Sequence, residues 1–291
     1  MQEVERIEKK EFYPNGQIKI RGDFYKKTGK KIGIWIEYYE NSQIKSIGTY
    51  GINKNWANSS GNKEGEWKEY HENGQLKRIG NYNNSTEPIG NWTEHYENGN
   101  LKSIGSYGNG WYNKSGKWIY YYENGDIKKV EQYSKKVFSN SCYPEGIWQE
   151  FYPNEQLKSI ERYQKGKSIG EWLDYYKSGK IKGFADYDKK IKIKKKPGFN
   201  KFEHNILWRF QDEDGNLASL EHYAKNWFES PYGGKGKRNG FYQKYYSNGK
   251  LKMEGVCSEN EKKGEWKYYS DNGKLIETVR TWLRIKEEIT E

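Results

Sequence analysis

The chain has 291 residues, of which 33% are hydrophobic and 17% aromatic, so about half of its apolar content is Trp, Tyr and Phe. That argues against a thick aliphatic core and for a thin aromatic-faced sheet, since each buried aromatic removes roughly 150–250 Å² from water. A net charge of +11 favours acidic partners or anionic surfaces without naming one.

The two cysteines, Cys142 and Cys257, show no CxxC spacing and argue against a disulfide framework or a zinc site. The N-terminus lacks the apolar run of a signal peptide, and no 18-residue apolar stretch occurs. The expectation is a soluble, cytoplasmic protein with no transmembrane segment.

In chain order, residues 1–10 read as an N-terminal tail. Residues 11–187 hold seven copies of one unit, anchored on the turn residues Asn15, Asn41, Asn73, Asn98, Asn124, Asn154 and Ser178. Residues 188–239 hold insertions around a degenerate eighth copy at Asp214, where Gln211 and Asp212 replace the paired aromatics. Residues 240–291 hold copies nine and ten, at Asn248 and Asn272, and a C-terminal cap. Anchors are never closer than 24 residues, and the additions vary, as a repeat with loop insertions gives. The segment 279–286 reads as a last strand or as a short helix covering the open edge, which an array must blunt.

The unit is legible in the third copy, Gly65-Glu66-Trp67-Lys68-Glu69-Tyr70-His71-Glu72-Asn73-Gly74-Gln75-Leu76-Lys77-Arg78-Ile79-Gly80-Asn81-Tyr82. Asn-Gly between two aromatic, β-prone runs marks a hairpin, because both residues accept positive φ. Ser42 and Glu155 replace that glycine and predict looser turns, or turns of another type. A two-residue turn pairs Tyr70 with Lys77, His71 with Leu76, Trp67 with Gly80, and Gly65 with Tyr82, setting each large ring opposite a glycine. A three-residue bulged loop would set Trp67 beside Ile79 instead; the ring–glycine match favours the first register.

One face then carries Trp67, His71, Leu76 and Tyr82; the other, mixed and wetter, carries Tyr70, Glu72, Lys77 and Ile79. The expected fold is all-β: an elongated antiparallel β-hairpin meander or solenoid of about ten repeats, in a single-layer twisted sheet. About 20 strands at roughly 4.8 Å spacing would run to about 90–100 Å if fully extended.

Catalytic signals are absent. His71 and His95 substitute for Tyr at repeat positions, His204 and His222 have no partner at metal-ligand spacing, and no nucleophile elbow, P-loop or zincin motif occurs. Glu37, Glu69, Glu94 and Glu150 follow the strand pattern and read as solvated cross-strand partners. No cofactor, metal or enzyme activity is expected.

Three features could bind a partner. Lysines four residues after the anchor (Lys19, Lys45, Lys77, Lys102, Lys128, Lys158, Lys182, Lys252) form a ladder on the mixed face, opposite rings such as Tyr38, Tyr70, Tyr121, Tyr175 and Tyr245. They bind phosphates or acidic protein, or they pair diagonally with Glu40, Glu72, Glu97 and Glu123. Second, Lys189, Lys190, Lys192, Lys194, Lys195 and Lys196 form the densest positive run: a patch for an anionic membrane surface, with nucleic acid the less favoured partner, or else a solvated insertion or a short β-ribbon whose lysines discourage edge pairing. Third, Trp56, Trp111 and Trp227 lie in insertions outside the repeat frame, as binding anchors or as covers for the ends of the apolar stripe.

The pattern G-x-W-x-x-Y-Y-x-N-G-x-L-K-x-x-G-x-Y resembles the bacterial MORN repeat variant, as found in YwqK-type antitoxins, over about residues 11–279. The resemblance implies a hairpin solenoid working through protein–protein contact, in some members by neutralising a toxin. The related eukaryotic repeats imply scaffolding and membrane or phospholipid association. The reading favoured here is a non-enzymatic scaffold with a protein partner, such as a toxin; the alternative is a peripheral binder of anionic lipid or another polyanion.

Overall fold

The structure is a computed structural model; it describes residues 5–51, 61–108, 113–134, 142–189, 205–224 and 237–281. Among these, all regular structure is β, and no helix is long and apolar enough to cross a membrane. The chain divides into two compact units, Met1–Tyr143 and Pro144–Glu291.

The first unit contains β1 (Arg6–Phe12), β2 (Ile18–Tyr25), β3 (Lys30–Tyr38), β4 (Ile44–Tyr50), β5 (Lys63–Tyr70), β6 (Leu76–Tyr82), β7 (Pro88–His95), β8 (Leu101–Tyr107), β9 (Lys114–Tyr121) and β10 (Ile127–Tyr133). Each strand pairs antiparallel with the next, a meander of five hairpins.

The second unit contains β11 (Gly146–Phe151), β12 (Leu157–Gln164), the two-residue β13 (Lys167–Ser168), β14 (Glu171–Tyr175), β15 (Ile181–Asp186), β16 (Asn205–Gln211), β17 (Leu217–Ala224), β18 (Arg238–Tyr245), β19 (Leu251–Ser258), β20 (Glu261–Tyr269) and β21 (Leu275–Thr281). It is the same meander, with β12 pairing both β13 and β14. The C-terminal segment is therefore strand as far as Thr281; the rest lies outside the described residues.

The hairpin register keeps half of each sequence alternative. Trp67 pairs with Gly80 and Gly65 with Tyr82, as the ring–glycine match requires. The turn, however, has three loop residues. His71 N–H donates to the Gln75 carbonyl, Gly74 N–H donates to the His71 carbonyl, and Gly74 sits at φ 83°. Tyr70 therefore pairs with Leu76, not Lys77, and a bulge between Glu69 and Tyr70 absorbs one residue and restores the register. That residue corrects the face assignment. Leu76 joins Tyr70 and Ile79, while Lys77 turns toward the ring face, where it and Lys45 line a groove with Tyr50 and Trp67.

The turns at Ser42 and Glu155 are also not of another type. They keep the same hydrogen bonds and sit at φ 67° and 61°. The hairpin scaffold imposes the left-handed residue whatever its side chain, against a cost of about 1–2 kcal/mol for a non-glycine.

Between hairpins the pairing carries a second irregularity. Gly48 pairs with Trp67 but Thr49 with Glu64, so Gly65 and Glu66 are extra on β5. Gly65 stands at φ 70°, and its equivalents Gly33, Gly90, Gly116, Gly146, Gly170 and Gly264 at 58–68°. The glycine at these positions is thus demanded by backbone conformation and not by the ring it faces, since a Cβ built on Gly65 would meet nothing within 4 Å.

The core is a ladder of rings on one face. In the first unit Phe24, Trp35, Tyr50, Trp67, Tyr82, Trp92, Tyr107 and Trp118 follow one another edge to face, with centroids 4.9–6.2 Å apart. Each indole lies on the glycine of the preceding hairpin: a Cβ built on Gly48 would come within 2.1 Å of Trp67, and one on Gly80 within 2.0 Å of Trp92. The Trp67 indole N–H donates to the carbonyl just past that glycine, at Thr49, and Trp35 and Trp118 repeat the contact at Asp23 and Ser106. In the second unit Trp148, Trp172, Trp208 and Trp266 are each only 1% exposed.

Candidate interaction surface

The turns hold one another in place. Tyr13 O–H donates to the Tyr38 carbonyl of the next hairpin, Tyr39 to Tyr70, and Tyr96 to Tyr121, at 2.8–2.9 Å. Tyr152, Tyr176 and Tyr246 do the same in the second unit, toward Tyr175, Gln211 and Tyr269. The contact reads a backbone carbonyl, so it survives at Gln211, where the repeat has lost its aromatic. Six anchor residues, Asn15, Asn41, Asn73, Asn98, Asn154 and Asn248, work twice. The Oδ1 accepts the N–H two residues on, as in Asn73 with Gln75, and the Nδ2 donates to the next hairpin, as in Asn73 to the Glu97 carbonyl.

These tyrosines also organise the lysine ladder. Lys19, Lys45, Lys102, Lys128, Lys158, Lys182 and Lys252 place Nζ 5.1–5.9 Å from the rings of Tyr13, Tyr39, Tyr96, Tyr122, Tyr152, Tyr176 and Tyr246. They lie over these turn tyrosines, not opposite Tyr38, Tyr70 or Tyr121, because the bulge advances the strand by one residue. Lys158 also pairs with Glu150 at 2.7 Å.

Sequence reasoning missed a second set of cations, four residues before the Trp. Lys63 lies 4.2 Å from the Trp67 ring and 5.1 Å from Tyr82; Lys31 does the same over Trp35 and Tyr50. Burial pushes the Lys63 ammonium below its ordinary value, against the opposing pull of Glu69. The signal was available as a recurring Lys at this position in Lys31, Lys63, Lys114 and Lys262.

Carboxylates replace the core glycine at three described sites, Glu131, Glu161 and Glu221, opposite Trp118, Trp148 and Trp208. Glu131 is 4% exposed and accepts hydrogen bonds from Tyr120 and Tyr133 at 2.9 Å, with Lys129 at 2.7 Å and Lys114 at 3.2 Å. Burial alone would raise its pKa, but the two ammonium groups outweigh this and hold it below the ordinary carboxylate value. Glu221 is matched by Arg238 at 2.7 Å, Tyr223 and Ser219. Its register partner is Tyr242, so the hairpin that lost the glycine meets one that lost the Trp. Burial first, and the Glu221 charge with it, raises the Tyr223 hydroxyl to about 12.

On the ring face a groove of about 210 Å³ is lined by Glu37, Lys45, Lys63, Trp67, Glu69 and Lys77 among others. Glu69 accepts from Arg78 at 2.6 Å, a cross-strand role of the kind expected for it.

The opposite, back face is where the first unit is least charged. Strand pairing aligns Ile36, Ile47, Lys68, Ile79, Thr93, Ile104, Ile119 and Val130 in one row across β3–β10. A second row beside it, nearer the turns, holds Tyr38, Ile44, Tyr70, Leu76, His95, Leu101, Tyr121 and Ile127. Only Lys68 is charged, and it pairs with Glu66 at 2.8 Å. Ile104 is 37% exposed and Ile127 42%. The corresponding central row of the second unit is interrupted by Arg209, Glu254 and Lys267.

Of the binding residues expected from sequence, Trp56, Trp111, Trp227, Lys190, Lys192, Lys194, Lys195 and Lys196 lie outside the described residues. Lys189 is exposed and pairs with Asp186 at 3.3 Å.

Eight segments match the MORN repeat variant: residues 7–27, 31–50, 63–84, 88–109, 114–135, 144–165, 238–256 and 262–282, together more than half of the chain. The chain belongs to this family. Its hairpins β14–β15 and β16–β17, between the matched segments, fold on the same plan, so the MORN chain is a repeat scaffold.

No curated protein matches the sequence. Among solved structures, the chain is similar to the Photorhabdus luminescens Tc holotoxin pore with the TccC3-D651A mutation, at 10% identity and TM-score 0.19, over 94% of this chain and 15% of that one. It is also similar to TcdB2-TccC3-Cdc42, at 10% identity and TM-score 0.16, over 95% of this chain and 18% of that one. A third is TcdB2-TccC3, at 11% identity and TM-score 0.16, over 95% and 19%. The chain thus spans under a fifth of the length of each, and at these scores the likeness carries no functional argument.

Proposed function

We propose that this MORN repeat chain is a non-enzymatic, cytoplasmic scaffold that binds a partner protein through the back face of its first unit, in the manner of an antitoxin or immunity-type protein. The observation that supports this is the two-row strip on β3–β10, which is apolar in all but a few positions. At about 4.8 Å per strand it runs roughly 34 Å, covering on the order of 300 Å² with no layer packed on it among the described residues. A patch of that size falls at the low end of the range for the largest patch on a typical monomer, about 300–600 Å², and such patches often serve an interaction. The ring face hides its own apolar surface, by stacking ring on ring under the lysines.

The test is affinity capture from native lysate at low and high salt, with wild type and with Ile104→Asp, which changes an exposed strip residue. One protein retained at high salt by wild type and lost by the variant is expected. Co-expression of the captured protein, with and without this chain, then reads toxicity and its relief. Capture indifferent to Ile104→Asp overturns the back-face reading.

A second reading rests on the lysines held over the turn tyrosines. Regularly spaced cations over rings suit an anionic surface, such as lipid headgroups. Vesicle binding that disappears at high salt and on Lys45→Gln/Lys102→Gln/Lys128→Gln favours it over the first reading.

A further inference from the structure

We infer that the strip of the first unit seats an amphipathic α-helix of the partner, about 20–25 residues long, with a basic flank along the hairpin tips. This rests on the scaffold reading above and assigns its partner's chemistry. Three observations carry it.

The first is shape. The strip is two side chains wide, roughly 7 Å along the strand, and eight strands long, roughly 34 Å. A helix of 20–25 residues spans about 30–38 Å and presents one apolar stripe of that width.

The second is backbone chemistry. The strip runs across the strands, so an extended partner laid along it would press its own N–H and C=O groups onto isoleucines with nothing to bond. A helix satisfies those groups internally.

The third is charge. Glu40, Glu72, Glu97 and Glu123 precede the turn Asn in four successive hairpins, and all are exposed. Each offers its carbonyl to an Asn of the preceding hairpin, which fixes the row at about two strand spacings, roughly 10 Å, per carboxylate. The bulge turns Lys45 and Lys77 to the ring face, while Glu97 Oε1 stays at the tips, 4.0 Å from His71 Nδ1. Between residues 30 and 133, the span of β3–β10, twelve carboxylates stand against thirteen Lys and Arg, so this stretch is near balance within a chain of net charge +11. In the second unit the same positions hold Pro153, Lys177, Glu213, Ser247 and Asp271, so the row does not recur.

The experiment uses the full chain and three 22-residue probes of Leu, Ala and one charged residue type. One is an amphipathic helix with a lysine flank, one its glutamate-flank counterpart, and one the lysine peptide with its order scrambled to destroy the stripe. Fluorescence anisotropy reads affinity, and hydrogen exchange reads which strands are protected. The lysine-flank helix is expected to bind at least tenfold more tightly than either other probe, protecting β3–β10. Glu72→Lys/Glu97→Lys should weaken it by about tenfold, since two exposed pairs are lost. Ile104→Asp should abolish the protection.

Equal binding of all three probes, no effect of the rim reversal, or protection confined to the second unit overturns the inference. Sedimentation showing a dimer that Ile104→Asp dissociates would assign the strip to a second copy, which also overturns it. Capture that depends on Ile104 without helix binding would sink this inference alone; capture indifferent to Ile104 would sink the scaffold reading.

Discussion

Replacing Gly80 with Ala tests whether the hairpins are joined by indole-on-glycine contact. Gly80 does not have positive φ, so its backbone accepts alanine, and the perturbation is a single methyl group. That methyl would lie 2.0 Å from Cδ2 and 2.2 Å from Cε2 of Trp92. The ring must retreat by more than 1 Å, in the order-of-magnitude sense that contacts settle near 3.5–4 Å. It has nowhere easy to go, being 5% exposed and held between Tyr82 at 5.1 Å and Tyr107 at 6.0 Å. Its indole N–H has no hydrogen-bond partner among the described residues, so the cost is steric.

Overpacking costs about 1–3 kcal/mol, and each disturbed ring pair is worth about 0.5–1.5 kcal/mol. The loss of chain freedom in the unfolded state returns about 0.4–1 kcal/mol. The expected net destabilisation is about 2–4 kcal/mol.

Urea unfolding followed by tryptophan fluorescence measures it, and hydrogen exchange should show β6–β8 opening first. Gly125→Ala is the control. Nothing lies within 4 Å of its Cβ, and φ +96° alone should cost about 1–2 kcal/mol. In a Trp92→Leu background the Gly80→Ala penalty should fall below about 1 kcal/mol, because the obstructing ring is gone. A cost under about 0.5 kcal/mol in the wild-type background, or an unchanged cost once the Trp92 indole has been removed, would refute the docking argument.

Further outcomes follow from the turns and the buried carboxylates. Asn73→Ala removes the bond from Gln75 N–H and the one to the Glu97 carbonyl, and should cost about 1–2 kcal/mol with faster exchange at both turns. Glu155→Gly relieves a non-glycine at φ 61°, and should stabilise by about 0.5–1 kcal/mol, visible as a higher urea midpoint. Glu131→Gln leaves Lys114 and Lys129 facing a neutral amide, and should cost about 1–3 kcal/mol at neutral pH. Because the Glu131 pKa is depressed in the folded chain, its contribution is complete above the ordinary value of 4.5 and fades as pH falls through the lowered value. Acid titration of stability should therefore be steeper in wild type than in the variant, and parallel curves would count against the assignment.

The chain's periodicity was enough to read the hairpin, its antiparallel partners and the pairing of Trp67 with Gly80. These depend on residues a few positions apart, and only one register sets both Trp67 opposite Gly80 and Tyr82 opposite Gly65. It was not enough to place Lys77 or Leu76. One bulged residue exchanges their faces, and the extra residue of a bulge breaks the period-2 alternation from which faces are read. The candidate site was less legible still. Trp56, Trp111 and Trp227 stood out as departures from the repeat, whereas the strip of Ile47, Ile79 and Ile104 is made of ordinary repeat positions. The residues themselves specified a ladder of rings over glycines. Tertiary structure decided which glycine each ring covers, the one in the preceding hairpin, because only docking between hairpins brings Trp92 onto Gly80 and leaves the other face open.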